Sequence, residues 1–198
     1  MANNANSQNA HKFLLTTSKK KGYYDFYNFL LSTETISLES RIDKSLTLEL
    51  FLIKTLIGQQ VSVKAAQSIW NRTNKYLTDC NNKISLNSLK KLGLSAPKAS
   101  YILGITRNKN IKSLNKSKLK KFSDEELSSF FLNIKGVGPW TLGAIKIFYL
   151  TSPDIYLNGD LAIQKKSLEY FGSFDDDMKD FSPYRTYLCL YLWKSTKN

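Results

Sequence analysis

A chain of 198 residues, 42% of them hydrophobic, is long enough to form one compact domain or two small lobes that share a core. Its 29 Lys and Arg residues against 16 Asp and Glu residues give a net charge of +13, which indicates nucleic acid or an anionic membrane surface as the partner. A membrane is the weaker candidate, because the sequence has no run of about 18 apolar residues and no signal-peptide pattern.

Cysteine and histidine usage excludes several classes of site. Cys80 and Cys189 are isolated in the sequence, so we expect neither an iron–sulfur cluster nor a zinc site, and a reducing compartment is the default. His11 is the only histidine, which excludes histidine-based triads and metal sites. Any catalysis must therefore come from carboxylates, lysines or hydroxyl groups.

In chain order, the first two segments differ in composition. Residues 1–12 are polar and predict a disordered tail. Residues 13–31 are aromatic, and Tyr23, Phe26 and Leu30 recur at helical spacing, which favours a packed core helix.

Serines precede the next predicted helices. Ser45 comes before a helix predicted over residues 46–57, and Ser62, Ser85 and Ser95 are the predicted N-caps of the helices that follow. Gly58 ends the first of these helices, and a short polar joint over residues 59–61 leads to the second. Residues 107–121 then carry seven Lys and Arg side chains. This basic run is either a solvated surface or a source of sequence-independent attraction to phosphates.

The segment from Ser123 onward predicts a helix, a glycine hairpin and a second helix. Ser123 begins a capping-box pattern, and Gly136 and Gly138 supply the backbone angles of a tight turn. Pro139 suits the first turn of the second helix. Unpaired amides of Gly136, Gly138 and Thr141 at this helix start would face an anion such as a phosphodiester. An ordinary helical corner is the alternative, and the basic composition favours the phosphate site.

Further along, Asp160 opens a helix that ends at Gly172, and Pro183 starts the last helix. No strand-like alternation recurs and no internal repeat is evident. The sequence therefore predicts an all-α fold of about ten helices.

Five blocks of the sequence occur in an order typical of one enzyme family. They are residues 58–66, 92–99 and 134–141, Asp160, and residues 184–187. Together they resemble the helix-hairpin-helix (HhH-GPD) DNA glycosylases, and within them the 3-methyladenine DNA glycosylase II branch. The resemblance covers residues 46 to 193 and implies the compact form that lacks an N-terminal β-domain.

The resemblance also implies a domain organisation. Two helical lobes are expected, with the active-site cleft between them. Residues 46–152 would form the lobe that contains the hairpin, and residues 13–45 with 153–198 would form the lobe that carries the catalytic aspartate.

Residue roles follow from the matching positions. The amides of Gly136, Gly138 and Thr141 are implied to bind a DNA phosphate, with Lys135 beside them. Gln60 matches the residue that fills the gap left when a damaged base is flipped out of the helix.

A cation site is implied at the same hairpin. In the family, carbonyl groups hold a monovalent cation, and the matching carbonyls are those of Leu132, Ile134 and Gly136. Na⁺ or K⁺ is therefore the expected ion, and no other cofactor is required.

Asp160 matches the family's catalytic residue, whereas Asp154 does not fit the pattern. Breaking an N-glycosidic bond builds positive charge on the sugar, and a fixed carboxylate stabilises that transition state. A simple N-cap is the alternative interpretation of Asp160.

The implied substrate pocket is lined by Trp140, Trp193, Ala144 and Leu161. Electron-rich indole rings attract cationic alkylated bases. Trp140 also occupies the position at which backbone-cutting relatives carry a lysine, and an indole forms no Schiff base.

The sequence thus predicts a monofunctional DNA glycosylase of base excision repair, acting on alkylated purines of the 3-methyladenine and 7-methylguanine type. Two alternatives remain: a glycosylase of the same fold for uracil, mismatched or deaminated bases, and a non-catalytic helix-hairpin-helix DNA-binding protein. The expected partner is double-stranded DNA with damaged bases, and the protein is expected to be an intracellular monomer.

Overall fold

The structure, a computed structural model, describes residues 2–79, 84–172 and 178–196, and these ranges contain helices and no strands. Its twelve α-helices in these ranges are α1 (Ala2–Lys21), α2 (Tyr24–Leu31), α3 (Leu48–Gly58), α4 (Val63–Asp79), α5 (Leu86–Lys91), α6 (Ala96–Arg107), α7 (Lys109–Ser113), α8 (Lys116–Leu119), α9 (Asp124–Leu132), α10 (Pro139–Ala144), α11 (Leu161–Phe171) and α12 (Arg185–Ser195). A π-helical turn, Ile145–Tyr149, continues α10. The predicted all-α class is confirmed. Cys80 lies outside the described residues.

The chain folds into two compact units. The central unit is Asp43–Leu142, and the terminal unit combines Met1–Ile42 with Gly143–Asn198. The sequence places the second boundary at residue 152 instead. Residues after Leu142 belong to the terminal unit because Gly143 packs so closely on Leu157 that a Cβ atom at Gly143 would overlap the leucine side chain.

The terminal unit has an aromatic core around α12. Residues 186–192 of this helix are all buried, so α12 is surrounded by its neighbours rather than lying on a surface. Phe26 of α2 contacts Phe171 of α11 edge-to-face, with ring centroids 5.2 Å apart, and it meets Phe181 at 6.3 Å. Such edge-to-face pairs stabilise a core beyond the area that they bury.

Helix α1 replaces the disordered tail that the sequence predicts over residues 1–12. The structure corrects this prediction, because Ser7, Ala10, Leu14 and Ser18 form a buried stripe at helical spacing along α1. Half of that stripe is serine, so hydrophobic periodicity alone does not reveal it.

His11 connects α1 to α12 through Tyr191. The His11 Nδ1 atom shares a hydrogen bond with the Tyr191 hydroxyl, which also accepts one from the Ile36 amide at 3.1 Å. Burial lowers the pKa of His11 below its ordinary value and raises the pKa of Tyr191 to about 12.

The central unit is built on α3, in which Leu48, Leu52, Ile53, Leu56 and Ile57 are buried. Its N-cap is Thr47, which accepts from the Leu50 amide at 3.2 Å, so the helix begins at Leu48 rather than at the predicted residue 46. The predicted serine caps are confirmed, since each accepts a hydrogen bond from an amide in the first helical turn. They are Ser62, Ser85, Ser95 and Ser123, and Ser123 forms the complete capping box with Glu126.

The basic run of residues 107–121 spans the end of α6, then α7 and α8, and all of its charged side chains except that of Lys116 are exposed. Lys112 lies 3.7 Å from Glu49. Over the residues described, no helix has the length and apolar character needed to cross a membrane. Nor does any group of three or more His, Cys, Asp or Glu side chains in these ranges have an arrangement that could hold a metal ion.

Candidate active site and DNA-binding hairpin

A glycine hairpin, residues 133–138, connects α9 to α10 in the central unit. The Val137 amide donates to the Ile134 carbonyl at 2.9 Å and closes the turn. Gly136 has a φ of +89°, and a Cβ atom there would lie 2.5 Å from Cδ2 of Tyr101. Both the left-handed backbone and the aromatic ring beneath it therefore require glycine at this position.

The start of α10 presents amides without internal acceptors. Leu142 donates to the Gly138 carbonyl at 2.9 Å, whereas the amides of Gly136, Gly138 and Thr141 donate no hydrogen bond within the described ranges. No atom lies within 4 Å of a Cβ placed on Gly138, so the space outside this turn is open. Unpaired amides at a helix start are suited to an anion. The amide arrangement expected from the sequence is present.

Gln59 contacts the hairpin from the loop between α3 and α4. This loop, residues 58–62, is called the Gln60 loop below. The Gln59 Nε2 atom donates to Thr141 Oγ1 at 2.9 Å and to the Gly136 carbonyl at 3.3 Å. No local pattern in the sequence indicates a role for Gln59, because its partners lie 82 and 77 residues away in the chain.

Lys98 of α6 holds the same loop from its other side. Its Nζ atom donates to the Ile57 carbonyl at 2.9 Å and to the Gln59 carbonyl at 2.5 Å. These carbonyls lie at the end of α3, where helical acceptors lack partners. Burial lowers the pKa of the Lys98 ammonium group.

Gln60 itself is exposed at the tip of its loop. Its φ is +54°, an uncommon value for a residue with a side chain. Val61 and Val63 beside it are 38% and 89% exposed, so the tip offers apolar surface to solvent. Lys135 is also exposed on the hairpin. All five predicted DNA-binding residues thus belong to the central unit.

Asp160 begins α11 in the terminal unit. Its Oδ1 atom accepts from the amides of Ala162 and Ile163, each at 3.0 Å, and the residue is partly buried. Two amide donors fix the orientation of the carboxylate. The predicted helix start is confirmed. Asp160 is the N-cap of α11, and the two hydrogen bonds hold its carboxylate in one orientation.

The segment that leads to Asp160, residues 153–157, has no regular secondary structure and is held by α12. The Ile155 amide donates to Thr186 Oγ1 at 3.0 Å, and the Leu157 amide donates to Cys189 Sγ at 3.5 Å. Cys189 is fully buried, and burial raises the pKa of its thiol to about 12. These contacts hold in place the segment that leads directly to Asp160.

Asp154, in the same segment, forms a bidentate pair with Arg185. The Nε–Oδ1 and Nη2–Oδ2 distances are 2.7 Å and 2.9 Å, and Ser182 donates to Oδ2 at 2.7 Å. Burial would raise the pKa of Asp154, but the hydrogen bonds from Arg185 and Ser182 outweigh burial and lower it. Asp154 therefore has a structural task, which agrees with the preference for Asp160.

Comparison with known proteins identifies the family of this chain. The alkylbase DNA glycosidase-like protein mag2 of Schizosaccharomyces pombe is 30% identical over 168 residues, covering 74% of this chain and 76% of mag2. The chain belongs to the alkylbase DNA glycosylase family. YfjP of Bacillus subtilis, whose name assigns it provisionally to the DNA-3-methyladenine glycosylases, is 29% identical over 73% of this chain. The chain spans 57% of the length of YfjP.

A solved structure gives the fold of this glycosylase family member. The S. pombe 3-methyladenine DNA glycosylase Mag1, in complex with abasic DNA, superimposes with a TM-score of 0.72 and 22% identity over 96% of this chain and 97% of Mag1. At that identity the likeness establishes the fold alone. No family model matches the sequence.

The predicted pocket residues differ in exposure. In the terminal unit, Trp193 is partly buried and stacks on Phe148 with ring centroids 6.0 Å apart. Ala144 is only 2% exposed, whereas Leu161, next to Asp160, is 80% exposed. Trp140 belongs to the central unit and is partly buried.

The three carbonyls named for a cation differ in the hydrogen bonds that they already accept. The Ile134 carbonyl accepts from Val137, and the Gly136 carbonyl accepts from Gln59. The Leu132 carbonyl accepts no hydrogen bond from the described residues. A carbonyl oxygen has two lone pairs, so all three retain capacity for an ion.

Proposed function

We propose that this protein is a monofunctional DNA glycosylase that hydrolyses the N-glycosidic bond of alkylated purines in double-stranded DNA and leaves an abasic site. The observation that carries the proposal is the carboxylate of Asp160, fixed at the start of α11 in a member of the alkylbase DNA glycosylase family. The names of the relatives supply the substrate class, since YfjP and Mag1 are named for 3-methyladenine.

Asp160 would act on the sugar rather than on the base. As the bond between C1′ and the base nitrogen breaks, its electron pair leaves with the base and positive charge develops on the deoxyribose. A carboxylate that is already oriented stabilises this charge without reorganisation. Water then adds to C1′ and loses a proton, which gives the abasic sugar.

An alkylated purine is a good substrate for such a minimal site. Alkylation at a ring nitrogen makes the base cationic, so it leaves as a neutral molecule and needs no general acid. This matches a chain whose single histidine, His11, packs between α1 and α12. Trp140 and Trp193 are our candidates for the aromatic pocket walls, and Leu161 and Ala144 complete the proposed lining.

The proposed activity ends at the abasic site. Cutting the backbone by β-elimination requires an amine that forms a Schiff base with the sugar. The matching position is Trp140, whose indole cannot react in this way.

DNA is held, in this proposal, through its backbone. The amides of Gly136, Gly138 and Thr141 bind one phosphate, and Lys135 adds positive charge beside it. Gln60, at the tip of its loop, fills the gap left by the flipped nucleotide. A Na⁺ or K⁺ ion on the carbonyls of the hairpin would add positive charge near the same phosphate. The protein would act as a monomer, inside the cell where its DNA substrate is.

A base-release assay tests this function. Duplexes that contain 7-methylguanine, 3-methyladenine, uracil or no damage are incubated with the wild type, and free base is measured by chromatography. We expect release of the methylated purines only. Asp160→Asn should lower release roughly 100- to 1000-fold while keeping affinity for an abasic-site analogue, because Asn still caps α11 but carries no charge.

The control is Asp25→Asn, an exposed aspartate in the first turn of α2 in the same unit, which should leave release unchanged. Borohydride added to the wild-type reaction should trap no covalent adduct. Full activity of Asp160→Asn would contradict the catalytic assignment. Release of uracil alone would assign the protein to the uracil-type alternative, and binding without any release would leave a DNA-binding protein.

A further inference from the structure

The phosphate-binding amides and the Gln60 loop are physically linked within the central unit. The link is the Gln59 side chain, whose backbone belongs to the Gln60 loop and whose amide group donates to the Gly136 carbonyl and to Thr141 Oγ1. Gly136 and Thr141 supply two of the three amides that face the proposed phosphate. A displacement of the hairpin is therefore transmitted through one side chain to the residue next to Gln60.

Helix α6 supports both ends of this link. Lys98 donates to the Ile57 and Gln59 carbonyls and so holds the main chain of the loop. One turn further along α6, the Tyr101 ring packs under Gly136 and holds the main chain of the hairpin. Residues three apart lie on the same helix face, so a single rigid surface supports both elements.

We propose that Gln59 is a positioning residue that makes phosphate binding at the hairpin and gap filling by Gln60 a single, coupled event. This inference rests on the proposed function for the identity of the ligand, DNA with an unpaired position. Gln60 adopts a left-handed backbone, which persists only where the surroundings hold it. The hydrogen bonds that Gln59 and Lys98 donate provide this support.

The coupling has a distinct signature in binding. An intact duplex engages the hairpin amides alone, whereas a duplex with an abasic-site analogue engages the hairpin and Gln60 together. Loss of the link therefore weakens binding to the second duplex more than to the first. A residue that merely stabilised the hairpin would weaken both duplexes equally.

The experiment measures affinity for both duplexes, identical except for one tetrahydrofuran abasic-site analogue. Gln59→Ala should reduce the affinity for the analogue duplex about tenfold, the size expected for two lost hydrogen bonds, and change the affinity for the intact duplex less than about twofold. The double variant Gln59→Ala/Gln60→Ala should lose little more affinity for the analogue duplex than Gln59→Ala alone, because the two residues act together. Thermal unfolding confirms that the variants fold.

The matched control is Gln67→Ala. Gln67 is an exposed glutamine of α4 in the same unit. It donates to Asn71 Oδ1 at 2.7 Å and has no assigned role at the hairpin. It should bind both duplexes like the wild type.

A second variant gives a readout that a packing role would not move. Gln59→Glu keeps the length of the side chain but places a carboxylate oxygen opposite the Gly136 carbonyl oxygen, and the two acceptors repel each other. Binding of the analogue duplex should be weak at pH 7.5 and strengthen as the pH falls towards about 4.3, the ordinary pKa of a glutamate side chain, because the protonated carboxyl group can donate again. The wild type measured at both pH values corrects for any general effect of pH on DNA binding.

Equal losses on both duplexes, or no loss in either variant, would overturn the coupling. These outcomes are independent of catalysis, since they use binding alone. Failure of the proposed function appears separately, as absence of base release by the wild type.

Discussion

Two helix N-termini in this protein use the same backbone feature in opposite ways. At α10 the amides of Gly138 and Thr141 donate to no described group, so this helix start can receive an anion from outside. At α11 the amides of Ala162 and Ile163 are both taken by the carboxylate of Asp160, so this helix start supplies its own anion. The residue before the helix decides the outcome, because glycine leaves the donors open and aspartate satisfies them.

The largest expected effect comes from a substitution in the hairpin that precedes α10. Gly136→Ala should lower the free energy of unfolding by about 2–4 kcal/mol, because the new methyl group meets Tyr101 and the backbone has a φ of +89°. Chemical denaturation followed by circular dichroism measures this loss. An unchanged midpoint would show that the Tyr101 ring does not support the hairpin.

Gly138→Ala is the matched control for that variant and sharpens the comparison. No atom lies within 4 Å of the new Cβ, so stability should change by less than about 0.5 kcal/mol. DNA affinity should nevertheless fall about tenfold, the size of one or two lost backbone contacts. Unaltered DNA affinity would place the phosphate elsewhere.

A smaller effect is expected from a substitution that acts on the segment before α11. Arg185→Lys keeps the charge but loses the bidentate bonds to Asp154, so the free energy of unfolding should fall by about 1–2 kcal/mol. The segment that leads to Asp160 loosens, so base release should fall while DNA affinity persists. Single-turnover kinetics separate the two quantities.

Arg41→Lys, at an exposed arginine of the same unit, is the control and should change neither stability nor base release. If Arg185→Lys lowered DNA affinity and base release in parallel, Arg185 would not act by positioning Asp160.

The smallest effect is a pH dependence in the terminal unit. Burial lowers the pKa of His11, so near its ordinary value of 6.5 the unfolded chain binds a proton more readily than the folded chain. Stability should therefore be at its full value above pH 6.5 and decrease as the pH falls below it. His11→Gln, which retains a hydrogen-bonding group for Tyr191, should remove that part of the slope. Identical slopes in both proteins would contradict the burial of the ring.

Local signals in the sequence were sufficient for much of the fold. Ser85, Ser95, Ser123 and Asp160 cap helices as predicted, because a cap depends only on residues within one turn. Hydrophobic periodicity does not reveal helix α1, because its buried stripe includes serines and its position depends on packing against α2 and α12.

The candidate site was predictable to a different extent. The hairpin and Asp160 carry short-range signatures that the family blocks repeat. Gln59 and Lys98 also lie in matched blocks, but nothing local indicates what they do, because their hydrogen bonds join residues 39 to 82 positions apart in the chain. Such contacts follow from tertiary structure and leave no periodic pattern in a single sequence.

The buried thiol of Cys189 has one further consequence. Agents that methylate purines are electrophiles, and they also react with thiolates, which are far stronger nucleophiles than thiols. A thiol that is fully buried and has a pKa of about 12 forms almost no thiolate at neutral pH. An enzyme with the proposed activity would thus keep this cysteine inert towards the reagents that create its substrate.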